Sequence, residues 1–95
     1  MYEVSDQLYL EIAAQLMDEI GKREFFAGTV VHIEEEVECR LRCTLFVEHT
    51  NDAERGSRVK RITPVWWEFH TTEGSVERLN DFSFSTLMEL SLGKE

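Results

Sequence analysis

Imidazole, carboxylate, hydroxyl and thiol groups are the means by which this chain could do chemistry, and few of them are spaced for it. His70 stands two residues from Glu68 and three from Glu73. An imidazole titrates near neutrality, so either pair has the elements of a general acid and base. On a strand, though, Glu68 and His70 are ordinary same-face neighbours. His32, Glu34 and Glu36 alternate and would share one face of a continuous strand, neighbours ~7 Å apart, which is loose for a single ion. Ser83, Ser85 and Thr86 stand where a helix begins, and capping accounts for hydroxyls there. The sequence contains no Walker loop, dinucleotide glycine fingerprint, HExxH, CxxC, GxSxG or EF-hand loop. No catalytic residue, metal ligand or cofactor is expected, and the balance is against an enzyme.

Cys39 and Cys43 lie four residues apart in an alternating stretch. On a strand they share a face at ~13 Å, too far for a mutual disulfide or a common zinc ion. They are expected as reduced core side chains, in keeping with a reducing, cytoplasmic compartment.

Trp66 and Trp67 carry a different kind of chemistry. Adjacent strand residues point to opposite faces. If Trp67 joins Val65 and Phe69 in a core, Trp66 must face outward. Ile62 and His70 would share that outer face, with Phe46 on the neighbouring strand and Arg40 and Arg42 nearby. A contiguous aromatic patch in water marks an interface, and arginine beside tryptophan is favourable interface chemistry. The candidate interface is therefore Trp66, Phe46, Ile62, His70, Arg40 and Arg42.

The elements that must position these groups follow from periodicity. Residues 5–21 predict a helix, capped by Ser5 or Asp6 and closed by Gly21, with a polar stripe at Gln7, Glu11, Gln15, Asp18 and Lys22. Its apolar arc is wider than one sheet contact needs. Residues 25–36 favour a strand, with Gly28 a bulge or close-packing point and the reversal at Glu34-Glu35-Glu36. Val37, Cys39, Leu41, Cys43, Leu45 and Val47 then alternate with polar neighbours, the strongest strand signal in the sequence. A polar loop is expected over 50–58, a third strand over 59–70 that is at an edge or bulged at Pro64, a turn at Thr72–Ser75, a short strand over 76–79, and a helix over 83–92 ended by Gly93. The fold class is α+β: an N-terminal helix, a three- to four-stranded antiparallel meander and a short C-terminal helix, with both helices packed on one sheet face. With no linker or repeat, residues 1–95 are expected as a single domain.

Composition narrows the partners. Ninety-five residues at 42% hydrophobic suit one folded domain, and no stretch approaches a membrane span. The opening Met1–Asp6 lacks the basic start and apolar core of a secretory signal. The net charge is −9, and residues 1–38 hold ten acids against two bases. Such a chain is repelled by nucleic acid and by anionic lipid. The one basic stretch, Arg55, Arg58, Lys60 and Arg61, has the look of a solvated loop and strand edge. The expected partner is thus a protein or a second copy, with no nucleic acid and no membrane. Two functions compete. One is a non-catalytic protein-interaction module that self-associates through the outer sheet face. The other is a small-ligand-binding protein or enzyme with a pocket between the helices and a curved sheet, which the wide apolar arc would line.

Overall fold

The computed structural model describes residues 4–52 and 56–92, and the side chains of 4–50 and 59–92. Helix α1 spans Asp6–Ile20. The Ser5 hydroxyl accepts from the Leu8 amide at 3.1 Å, which satisfies one of the amides that the first turn leaves free. Gly21 closes the helix at φ 56°, its N–H donating to the Met17 carbonyl, a conformation open to a residue without Cβ. Leu8, Tyr9, Ile12, Ala13, Leu16 and Ile20 form its buried stripe.

Strands β1 (Phe25–Glu34), β2 (Val37–Asp52), β3 (Gly56–Glu73) and β4 (Val76–Asn80) form one open antiparallel sheet in the order β1-β2-β3-β4, and helix α2 (Phe84–Leu92) completes the described chain. Both helices lie on one face of this four-stranded sheet, where α1 and α2 close over the alternating stripe of β2. Val37, Cys39, Leu41, Cys43, Leu45 and Val47 are buried there with Phe26, Val30 and Phe69. Gly28 sits on the same face opposite Cys43. A Cβ at Gly28 would meet the Phe26 ring at 3.0 Å, so this glycine is the close-packing point that lets the ring lie flat over the strand. Phe82, between β4 and α2, joins the layers: its ring centroid is 5.0 Å from Tyr9 of α1, 5.0 Å from Phe69 of β3 and 5.4 Å from Phe84 of α2. Sequence periodicity gave no sign of this role, because Phe82 belongs to neither a strand nor a helix.

The β1–β2 reversal falls within the glutamate triplet. Glu34 pairs with Val37, and the two residues between them, Glu35 and Glu36, have φ 49° and 69°. Positive φ at both central positions is the turn whose twist matches a right-twisted hairpin. Glutamate lacks the freedom of glycine or asparagine there, and the pairing of the flanking strands holds it in place.

Three expectations are corrected. The polar stretch 50–58 is mostly strand: Thr50, Asn51 and Asp52 pair with Arg58, Ser57 and Gly56, and residues 53–55 lie outside the described residues. Backbone pairing in a ribbon continues whatever the polarity of its side chains, so a polar strand reads as a loop. Second, Ile62 is on the inner face and 2% exposed. Leu45 pairs with Pro64 while Thr44 pairs with Trp66, so Val65 is an extra, unpaired residue. This bulge reverses the alternation and places Ile62 opposite buried Val47. Third, Val65 is exposed at the bulge instead of joining Phe69, and Trp67 reaches only the margin of the core, 38% exposed. Pro64 meets both conditions proposed for it: it abuts the bulge, and β4 pairs only with Phe69–Glu73, leaving the β3 edge open at Pro64. Gly93, the expected stop of α2, lies outside the described residues.

Two outcomes test this arrangement by chemical denaturation. Leu41→Ala should cost about 2–5 kcal/mol by opening a core cavity, against less than about 1 kcal/mol for Arg42→Ala on the other face. Equal losses would contradict the face assignment. Glu36→Gly should raise stability by about 1 kcal/mol, since it relieves a left-handed conformation in a side-chain-bearing residue.

Candidate interaction surface

The face of the sheet turned away from the helices is built from the other half of each alternation. On β1 it holds Phe25, Ala27, Thr29, Val31 and Ile33, and these pair with Phe46, Thr44, Arg42, Arg40 and Glu38 of β2. On β3 the partners of the same β2 residues are Thr63, Trp66, Glu68, His70 and Thr72. The Phe25 and Phe46 rings meet across the strands at 5.3 Å. Trp66 lies diagonally beyond them, opposite Thr44. Phe25 is 49% exposed, Phe46 55% and Trp66 45%. The Arg42 guanidinium carbon lies 5.7 Å from the Trp66 ring centre, within cation–π range.

Charges on this face are locally matched. Arg40 Nη2 donates to Glu38 Oε2 at 2.7 Å, and Arg61 lies 3.7 Å from Glu48. His70 stands between two carboxylates, with Nε2 3.0 Å from Glu68 Oε2 and Nδ1 3.2 Å from Glu77 Oε2. Of the six expected interface residues, the structure brings Trp66, Phe46, His70, Arg40 and Arg42 to this face, and Ile62 is removed from it by the bulge. Phe25, Val31 and Ile33 were missed as members. Their alternation with buried Phe26 and Val30 is the signal that assigns them once β1 is paired. Leu79 of β4, opposite His70, joins them.

The other candidate chemistry is dispersed. Glu73 is not with His70; it pairs with Val37 and Val76. His32 ties α1 to β1, with Nε2 2.8 Å from Glu11 Oε2 and Nδ1 3.1 Å from Gln15 Oε1. Glu34 ends β1 and Glu36 belongs to the turn, so the alternating trio is not assembled. Among the described residues no group of three histidine, cysteine or carboxylate side chains is placed to hold a metal ion. Ser83 caps α2, its hydroxyl accepting from the Thr86 amide at 3.1 Å. Arg55 and the side chain of Arg58 lie outside the described residues; Lys60 and Arg61 are exposed.

A cleft of about 550 Å³ opens among Tyr9, Trp67, Asn80, Phe82 and Ser83. Three of its polar side chains hold elements together, and Glu68 and Asp81 also line it. The Tyr9 hydroxyl accepts from the Ser83 amide at 3.1 Å, Trp67 Nε1 donates to the Phe82 carbonyl at 2.9 Å, and the Asn80 amide donates to the Thr71 hydroxyl. The surplus apolar residues of α1, Leu10 and Ala14, face solvent instead of lining a cavity. Neither cysteine is in a disulfide, both are buried, and burial pushes the Cys43 thiol up to about 12.

Comparison with protein-family models, curated proteins and solved structures gives no match. No helix among the described residues is long and apolar enough to cross a membrane.

The thiols supply a test. A thiol held neutral and out of water is a poor nucleophile at neutral pH. An aromatic disulfide reagent should modify Cys39 and Cys43 slowly in the native protein and both rapidly after unfolding. Fast native modification would show that the stripe of β2 is accessible.

Proposed function

We propose that this chain is a non-catalytic protein-interaction module whose binding surface is the outer face of its sheet. The observation that carries this is the half-exposed cluster of Phe25, Phe46 and Trp66 on a face that no helix covers. A fully buried aromatic ring removes ~150–250 Å² from water, so three half-exposed rings leave about 300 Å² of ring surface, on the scale of a monomer's largest and often functional patch. Val31, Ile33 and Leu79 are exposed elsewhere on the same face. Aromatic anchors bordered by arginine are the composition in which binding energy concentrates at protein interfaces. The cleft beside Trp67 favours a pocket-based activity less, because its tyrosine, indole and amide groups are engaged within the chain. The matched charges of the outer face and the −9 net charge direct the surface toward protein and away from nucleic acid and anionic lipid. Two cysteines outside any disulfide fit a reducing, cytoplasmic setting.

Two truncations on the same strand test this. In dilute solution, where association contributes least, Trp66→Ala should change the unfolding free energy by less than about 1 kcal/mol, while Phe69→Ala should cost about 3–5 kcal/mol. A loss at Trp66 as large as that at Phe69 would mean that the outer cluster serves folding and is not free for a partner.

A further inference from the structure

We infer that the partner of the outer face is a second copy of this chain, stacked sheet against sheet to give a four-layer assembly with the helices outside. This stands only if the outer face is the binding surface.

Charge decides first. The exposed acids Asp6, Asp18 and Glu19 lie on the solvent side of α1, and Glu35 and Glu36 in the turn. On the outer face, by contrast, Arg40, Arg61 and His70 sit beside Glu38, Glu48 and Glu68. A molecule of net charge −9 can therefore meet its own copy through the one face whose charge is locally balanced. Stacked sheets lie ~10 Å apart and each helix layer adds ~10 Å, so the two acidic layers end up about 30 Å apart, well beyond the ~8 Å screening length at physiological salt.

Edge-to-edge pairing is less suited. Strand β4 has five residues, with exposed Glu77 and Arg78, features that blunt an edge. On β1, the Glu24 carbonyl accepts from Val47 N–H, so even-numbered residues there bond to β2 and odd-numbered ones face the free edge. The Val31 carbonyl on that edge already accepts from Gln15 Nε2 at 3.0 Å. Pairing at β1 would also set the two acidic α1 helices side by side.

The surface is complementary to itself. Rings lie toward one end of the strands, at Phe25 and Phe46, and Arg42 and Arg40 follow toward the other. A twofold axis in the interface, running across the strands near Trp66, lays the arginines of one copy over the rings of the other. Arg42 against Trp66 shows the same contact within one chain. The rings, Val31, Ile33 and the arginine stems together approach the ~800 Å² per partner that a stable interface needs.

The test is solution mass by light scattering, with far-UV circular dichroism to follow folding. The wild type should run at twice the 11.1 kDa chain mass at high micromolar concentration. Phe46→Arg should place like charges opposite each other and weaken the dimer at least roughly tenfold. Adding Arg40→Glu to the same chain should restore it, since positions 40 and 46 are too far apart along β2 to pair within one copy. Thr44→Arg, between the rings, should act as Phe46→Arg does and serves if that variant fails to fold. A wild type that stays monomeric overturns the second copy; the Trp66→Ala and Phe69→Ala contrast then still tells whether the outer cluster serves folding or is left for a different protein. A dimer unchanged by Phe46→Arg or Thr44→Arg but broken by Thr29→Pro, which removes an edge-facing N–H and no bond to β2, would place the contact at the β1 edge and also overturn it. Failure of the double variant to recover the dimer overturns the crossed arginine–ring packing.

Discussion

The inner stripe of β2 must be kept from water, and two helices are available to do it. Val37, Cys39, Leu41, Cys43, Leu45 and Val47 are buried on one side of a central strand. At ~25 cal/mol per Å² of apolar surface, their removal from water is a principal drive for closing α1 and α2 over the sheet. The same closure leaves the sheet one layer thick with respect to its other face. Because β strands alternate, each residue committed to the core places its neighbours on that outer face. Phe46 and Trp66 are exposed as a direct consequence of where Leu45 and the inner residues of β3 must go.

Unpaired residues decide which β3 side chains belong to which face, at the register shifts opposite Thr44/Leu45 and Glu48/His49. With Val65 bulged, Ile62 packs opposite Val47, Trp67 comes to the core margin beside Phe84, and Trp66 remains outside. Without it, regular alternation would have put Ile62 out. The bulge thus removes an aliphatic side chain from the outer face and leaves that face with rings, arginines and paired carboxylates. Phe82 fixes the opposite layer by touching α1, β3 and α2 at once.

Polar side chains that could have suggested chemistry are largely committed to holding elements together. His32 joins Glu11 and Gln15 of α1 to β1, and Gln15 reaches on to the Val31 carbonyl. His49 Nε2 contacts the Arg23 carbonyl at 2.7 Å, tying β2 to the end of α1's connector. Tyr9 and Trp67 anchor the segment before α2. Each of these polar groups has an acceptor or donor close by, which is what removal from water demands, and the buried Thr50 hydroxyl is the exception among the described side chains.

The sequence by itself determined the order of elements, the cap at Gly21 and, to within one residue, that at Ser5, the buried stripe of β2 and the opposite facing of Trp66 and Trp67. These follow from local rules: hydroxyl capping, glycine at positive φ, and alternation at period two. It also placed five of the six outer-face residues, since Phe46, Arg40, Arg42, Trp66 and His70 keep their parity through the strand segments that carry them. Pro64 marked an edge or a bulge in advance, but only the pairing of β2 with β3 makes Val65 the extra residue and turns Ile62 inward. Tertiary structure decided likewise that Thr50–Asp52 is ribbon and not loop, since pairing depends on the partner strand's register. The inclusion of Phe25, Val31 and Ile33 depended on β1 lying antiparallel to β2 with Phe25 against Phe46. Alternation tells which side chains share a face, and only strand pairing tells which faces share a surface.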